Sequence, residues 1–284
     1  MKIGMIGAGR VGCSFGKYLV DRGKTVTGYY SQKYESAVCA AKFVGTDSFR
    51  RMEELTALSD TLLITTPDDR IGEVWDRMKE MSIDERVICH FSGSLSSDVF
   101  NGIDGKNAYG ASIHPMLAFR DRFTSYEQLQ KCFFTLEGHP HALQRLQALL
   151  EELGNPYCLI KAQDKAKYHC AASILSNDVL ALLDLGFYLL EQCGFGKEEV
   201  LCAAAALVRG NVENVLANGT RDSMTGPILR GDLSTVEKHL GVLEGEEREI
   251  YRLLGQRLLA MAGQRHGQED LQERYDSLRR LLEQ

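Results

Sequence analysis

Lys2–Ile6, KIGMI, runs directly into Gly7–Gly12, GAGRVG, and on into Val11–Val20, VGCSFGKYLV. An apolar five-residue run, three glycines spaced G-x-G-x-x-G and then a helical pattern make a strand, a tight turn and a helix. Each glycine has a separate physical task. Gly7 permits the turn, Gly9 lets the backbone approach a pyrophosphate, and Gly12 lets helix and strand pack closely. Arg10 and Val11 sit inside the same loop, Arg10 as a cation beside the phosphates. Free N–H groups and the positive end of the helix dipole then face the anion. The stretch therefore predicts a dinucleotide-binding domain at the start of the chain.

Working outward, the second strand is expected over Thr25–Tyr30, where NAD-binding proteins place a carboxylate for the adenosine ribose. Ser31, Gln32 and Lys33 follow instead. Without a carboxylate to repel a 2′-phosphate, and with a hydroxyl and an ammonium to bind one, NADP is the expected cofactor and NAD the alternative. Thr65, Thr66, Pro67 and Asp68 lie where a later strand gives way to a helix. Thr66 or Asp68 can cap that helix, Pro67 suits its first turn, and a nicotinamide ribose would lie there.

Further strands are expected at Thr61–Thr65, Arg86–Phe91, Tyr109–Ile113, Cys132–Leu136 and Tyr157–Ile160, alternating with amphipathic stretches. From Ala162 the apolar period becomes helical and stays so. Expected helices run Gln163–Cys193, Val200–Ala217, Asp232–Leu243, Glu246–Arg265 and Glu269–Leu282. The fold class is α/β, a parallel Rossmann sheet over 1–161 followed by an all-helical domain over 162–284. With 284 residues, 44% of them apolar, two cores are expected rather than one. A net charge of −6 and no basic run weigh against a nucleic-acid partner. No charged leader and no unbroken run of about 18 apolar residues stand out, so a cytoplasmic protein without a membrane partner is expected. The eight cysteines are scattered without a C-x-x-C pair and are read as reduced core residues. No metal site is expected.

Polar clusters fall where strands end, at His90–Ser94 and Ser112–Met116. Proline after His114 keeps that residue extended, which aims it at a substrate oxygen or nitrogen for proton exchange. On the long helix His169, Ser173, Ser176 and Asn177 fall within a sector of about 100°. Such a stripe on an apolar rod needs partners, from neighbouring helices or from a ligand. Arg230, on a Gly- and Pro-shaped turn before the capping residue Asp232, can clamp an anionic group or pair within the structure.

The runs HFSGSLSS (90–97), SIHPM (112–116), KYHCAASILSN (167–177) and TGPILRGD (225–232) give the chain a further character. It resembles, over almost its whole length, the Rossmann-like NADP oxidoreductases whose C-terminal helical domain is of unknown function. These are relatives of 6-phosphogluconate, β-hydroxyacid and pyrroline-5-carboxylate reductase-type enzymes. The resemblance implies an NADP-class cofactor and a homodimer formed through the helical domain. β-Hydroxyacid dehydrogenases carry a catalytic lysine four residues before an asparagine; here Asn177 is present and Ser173 stands at the lysine position. Ser92 with His114 is similar to the serine and histidine of prephenate dehydrogenases.

The expectation is hydride transfer between NADP(H) and a small, anionic substrate held between the domains. His169, Asn177, His114 and Ser92 are its catalytic candidates, with Ser173 and Arg230 binding substrate. An imine reductase and a non-catalytic nucleotide sensor are the alternatives.

Overall fold

In the computed structural model, which describes residues 1–264 and 271–284, eight strands form one sheet in the order β3-β2-β1-β4-β5-β6-β7-β8. They are β1 (Lys2–Ile6), β2 (Thr25–Tyr30), β3 (Asp47–Phe49), β4 (Thr61–Ile64), β5 (Val87–His90), β6 (Tyr109–Pro115), β7 (Phe134–Gly138) and β8 (Tyr157–Leu159). The first six run parallel, and β7 pairs antiparallel with β6, Ala111 facing Gly138 and Pro115 facing Phe134. Helices α1 (Arg10–Asp21), α2 (Tyr34–Val44), α3 (Met52–Leu58), α4 (Asp68–Met78) and α5 (Pro140–Leu153) make the crossovers.

The inner strands are buried throughout, as strands covered on both faces must be. One core packs Phe15, Phe91, Phe134 and Leu146 on one side of the sheet. A second packs Trp75, Ile88 and Phe100 on the other. The aromatic pairs Phe15–Phe91, at 5.0 Å between centroids, and Trp75–Phe100, at 5.4 Å, meet edge to face.

The chain is then helical from Ala162 to Gln192. It passes through α6 (Lys165–Ser173), a π-helical turn at Ile174–Asp178 and α7 (Val179–Gln192). There follow α8 (Lys197–Asp222), α9 (Leu233–Val242), α10 (Gly245–Ala262) and α11 (Gln272–Leu282). The expected helix ends at Arg265 and Glu269 lie outside the described residues. By packing, residues 1–178 form one compact unit and 179–284 another. This division falls later than the change of sequence pattern at 162, because α6 sets Lys165 and Tyr168 against Ser112 and His114 of β6. The second unit has its own core around Val236, Leu240, Tyr275 and Leu278.

One expectation needs correction. All eight cysteines are free, but only Cys13, Cys89 and Cys132 are buried; Cys39, Cys158, Cys170, Cys193 and Cys202 are exposed despite apolar neighbours in sequence. No unbroken run of about 18 apolar residues occurs in the sequence; by length and composition alone, the helical stretches Ala162–Gln192 and Lys197–Asp222, each with a window of mean hydropathy 1.4, would suffice to cross a membrane.

Candidate active site

The glycine loop behaves as its spacing demands. Gly7 has φ +108°, and a Cβ on it would meet the Thr65 backbone at 2.9 Å, so no other residue fits without strain. A Cβ on Gly12 would come within 2.5 Å of Thr65 Oγ1 and 2.6 Å of the Gly7 carbonyl. Gly9 is different: a Cβ there would meet nothing within 4 Å, so its backbone lies bare. Gly9 is also the N-cap of α1 and supplies no side-chain cap, and no acid stands in the first turn. The leading N–H groups of the helix are left to an external acceptor.

That backbone borders a cavity of about 470 Å³ that Gly7, Gly9, Ser31, Lys33, Thr66 and Pro67 all line. Of the other expected cofactor residues, Gly12 packs beneath the loop, Val11 packs against the core and Arg10 is exposed. The Thr66 hydroxyl is buried and has no hydrogen-bond partner among the described residues. A buried hydroxyl without a partner at a cavity wall is suited to a ligand.

Arg70 and Arg77 also line this cavity, and sequence reading missed both. Arg77 donates to the Tyr30 hydroxyl at 3.1 Å, with its guanidinium 5.6 Å from that ring, whereas Arg70 is tied to Glu73 at 2.7 Å. A signal existed, since both arginines lie on the helix that follows Pro67.

One residue past Pro67, Asp68 turns toward the neighbouring loop. Its Oδ2 accepts from Ser92 Oγ at 2.6 Å and from Ser94 Oγ at 3.0 Å. Ser92 Oγ accepts in turn from the backbone N–H groups of Ser94 and Leu95, at 3.1 and 2.9 Å. Its hydrogen-bonding capacity is thus spent in shaping the turn after β5. His90 does similar work. It is fully buried, accepts at Nδ1 from the Ser92 N–H at 3.2 Å, and its Nε2 meets the Ser96 carbonyl at 3.1 Å. Burial holds its pKa down at about 4.

Between Ser92 and Ser94 stands Gly93, and two imidazoles crowd it. A Cβ on Gly93 would lie 2.5 Å from His169 Cδ2 and 2.8 Å from His114 Nε2. The two rings are 6.2 Å apart. His114 Nδ1 is hydrogen-bonded to the Tyr168 hydroxyl at 2.6 Å, which orients the ring and leaves Nε2 on the Gly93 side. Burial foremost, then the positive charge of Lys165 and the neighbouring His169, press the His114 pKa to about 4, with Asp68 acting against them. His114 is a neutral imidazole at pH 7, able to exchange a proton through Nε2.

His114, His169, Ser173, Ser176 and Asn177 line a second cavity of about 450 Å³, closed on its other side by apolar residues from Met116 to Phe119. The expected polar stripe is therefore brought together, but it is not buried. His169, Ser176 and Asn177 are exposed and Ser173 half-exposed, and Ser176 Oγ donates to the Ala172 carbonyl at 2.7 Å. The stripe borders open space on a helix face that its own domain leaves uncovered, so burial does not force it to find partners. Arg230 is exposed on the turn after α8. Asp232 gives its carboxylate to Thr235, at 3.1 Å from N and 2.7 Å from Oγ1, and caps α9.

Residues 1–115 match the Rossmann-like domain family, and residues 132–258 match the family described as Domain of unknown function (DUF2520). The chain thus carries a Rossmann-like domain followed by this helical domain, as the sequence resemblance implied. No curated protein matches it. Among solved structures, protein TM1727 from Thermotoga maritima is 25% identical at a TM-score of 0.74, over 92% of this chain and 98% of that one. An imine reductase from Pseudomonas sp. is 17% identical at 0.61, over 99% and 91%. A pyrroline carboxylate reductase from Plasmodium falciparum, solved with NADP bound, is 14% identical at 0.60, over 93% and 96%.

Proposed function

We propose that the protein is an NADP-dependent oxidoreductase that transfers a hydride to or from a small substrate held at the His114–His169 cavity. One observation carries the reading. Asp68 begins the helix that borders the nucleotide cavity, and it also holds the serine turn on which Gly93 meets both imidazoles. The Asp68 carboxylate thus ties the helix beside one cavity to the turn packed against the histidines of the other, as cofactor and substrate must lie together for hydride transfer.

In this reading the nicotinamide dinucleotide supplies the hydride chemistry, and the chain binds, orients and moves protons. Gly7–Gly12 and the α1 N-terminus take the diphosphate, Thr66 and Pro67 the nicotinamide side, and Ser31 and Lys33 the 2′-phosphate. His114 and His169 exchange the proton that accompanies the hydride, and Ser173 and Asn177 orient the substrate. The protein works as a cytoplasmic homodimer whose helical unit covers its apolar surface in a second copy.

Imine reduction is the second reading, favoured by Ser173, which stands where hydroxyacid dehydrogenases carry lysine. The test is NADPH oxidation against a panel of carbonyl compounds and imines, with His169→Ala and Gly93→Ala beside the wild type. Both variants are expected to lose turnover by at least about tenfold while keeping NADPH affinity, because the methyl of Gly93→Ala displaces the rings. Full turnover in both would remove the histidine pair from the chemistry.

A further inference from the structure

Lys165 opens α6, and it is 1% exposed although Ala166 and Lys167 beside it stand in solvent. An ammonium is buried only with partners, and these are specific. Nζ donates to the Ser92 carbonyl at 2.8 Å and to Ser112 Oγ at 3.2 Å. Ser112 Oγ passes a hydrogen bond to Glu137 Oε2 at 3.0 Å. Glu137, 4% exposed, also accepts from the Ser97 N–H at 2.8 Å and from Ser97 Oγ at 2.6 Å. A cation and an anion bridged by a serine hydroxyl therefore tie α6, β6 and β7 to the turn after β5. The residue that follows the gripped carbonyl is Gly93.

We propose that Lys165 is a positioning residue of the histidine cavity: by gripping the Ser92 carbonyl it keeps Gly93 against His114 and His169 and brings its ammonium to bear on the ring that meets substrate. The inference rests on the reading of His114 as part of the substrate site. The ionisable groups bearing on His114 are Lys165, His169 and Tyr168 from α6 and Asp68 from the start of α4. Lys165 and His169 oppose its protonation and Asp68 favours it. Lys165 is itself pulled down to about 8, chiefly by burial, and so remains charged at pH 7.

The experiment is an NMR titration of the His114 ring in the full chain, with NADPH affinity measured on the same samples. Lys165→Met is expected to raise the His114 midpoint from about 4 by about one pH unit or more. Glu137→Gln removes the opposite charge and loosens the same core, and is expected not to raise it. An unchanged midpoint in Lys165→Met overturns the proposal. So does an equal rise in both variants, which would mean general hydration of the core. If Lys165→Met does not fold, Lys165→Gln, which keeps a donor for the Ser92 carbonyl without the charge, takes its place in the same comparison. Absence of NADPH binding in the wild type would refute the underlying functional reading instead, while leaving the titration to be judged on its own.

Discussion

Two neutral histidines inside the protein have a consequence for stability. His90 and His114 are each drawn by burial from an ordinary 6.5 to about 4, so between those values the unfolded chain holds protons that the folded one refuses. Stability is therefore full above about pH 6.5 and falls as the pH drops toward 4. From pH 6 to pH 5 the two groups together should cost roughly 2 kcal/mol. Urea denaturation at the two values measures it, and His114→Gln should remove about half of the slope; a flat profile would mean solvated imidazoles. Residues of this kind were unevenly legible. His114 could be found because Pro115 fixes its backbone, and the glycines because their spacing is tied to a strand and a helix. Lys165 could not, since a lysine on a helix ordinarily reads as a solvated one, and only Ser92 and Ser112, 73 and 53 residues away, show that it is buried. Asp68 and Glu137 were hidden for the same reason: what they do depends on serines brought to them by the sheet.

Among the elements, the strands announced themselves by apolar runs between turns, and most lie within two residues of where the pattern set them. Asp47–Phe49 was missed because three residues, DSF, carry no alternation, and it pairs only at the edge with β2. The antiparallel turn-back of β7 is likewise invisible in composition. The long helix was legible as a period, but its π-helical turn was not, since the sequence ILSND carries no Gly or Pro to mark it. The most consequential elements are α7 and α8, whose apolar side chains face outward: Leu207 is 69% exposed and Leu216 81%. Apolar surface of this extent is costly in water and is covered in the proposed homodimer. Light scattering should give twice the 31.7 kDa chain mass, and Leu207→Asp with Leu216→Asp should shift it toward one chain. A monodisperse monomer in the wild type would refute the dimer.

Across the molecule, the sequence separated a sheet-bearing part from a helical one, while the packing division falls inside the long helix rather than before it. The reason is local. The first two turns of that helix serve the sheet, lending it Lys165, Tyr168 and His169, and a change of periodicity does not record which core a helix joins. At this scale everything rests on the nucleotide cavity, where a bare Gly9 backbone, an uncapped helix and the unpartnered Thr66 hydroxyl meet beside Ser31 and Lys33. Titration calorimetry of the folded protein with NADPH, NADP, NADH and NAD is the direct measurement. The account predicts one site per chain, with the 2′-phosphorylated pair bound at least about tenfold more tightly and that preference lost in Lys33→Ala. No binding of any of the four would contradict it.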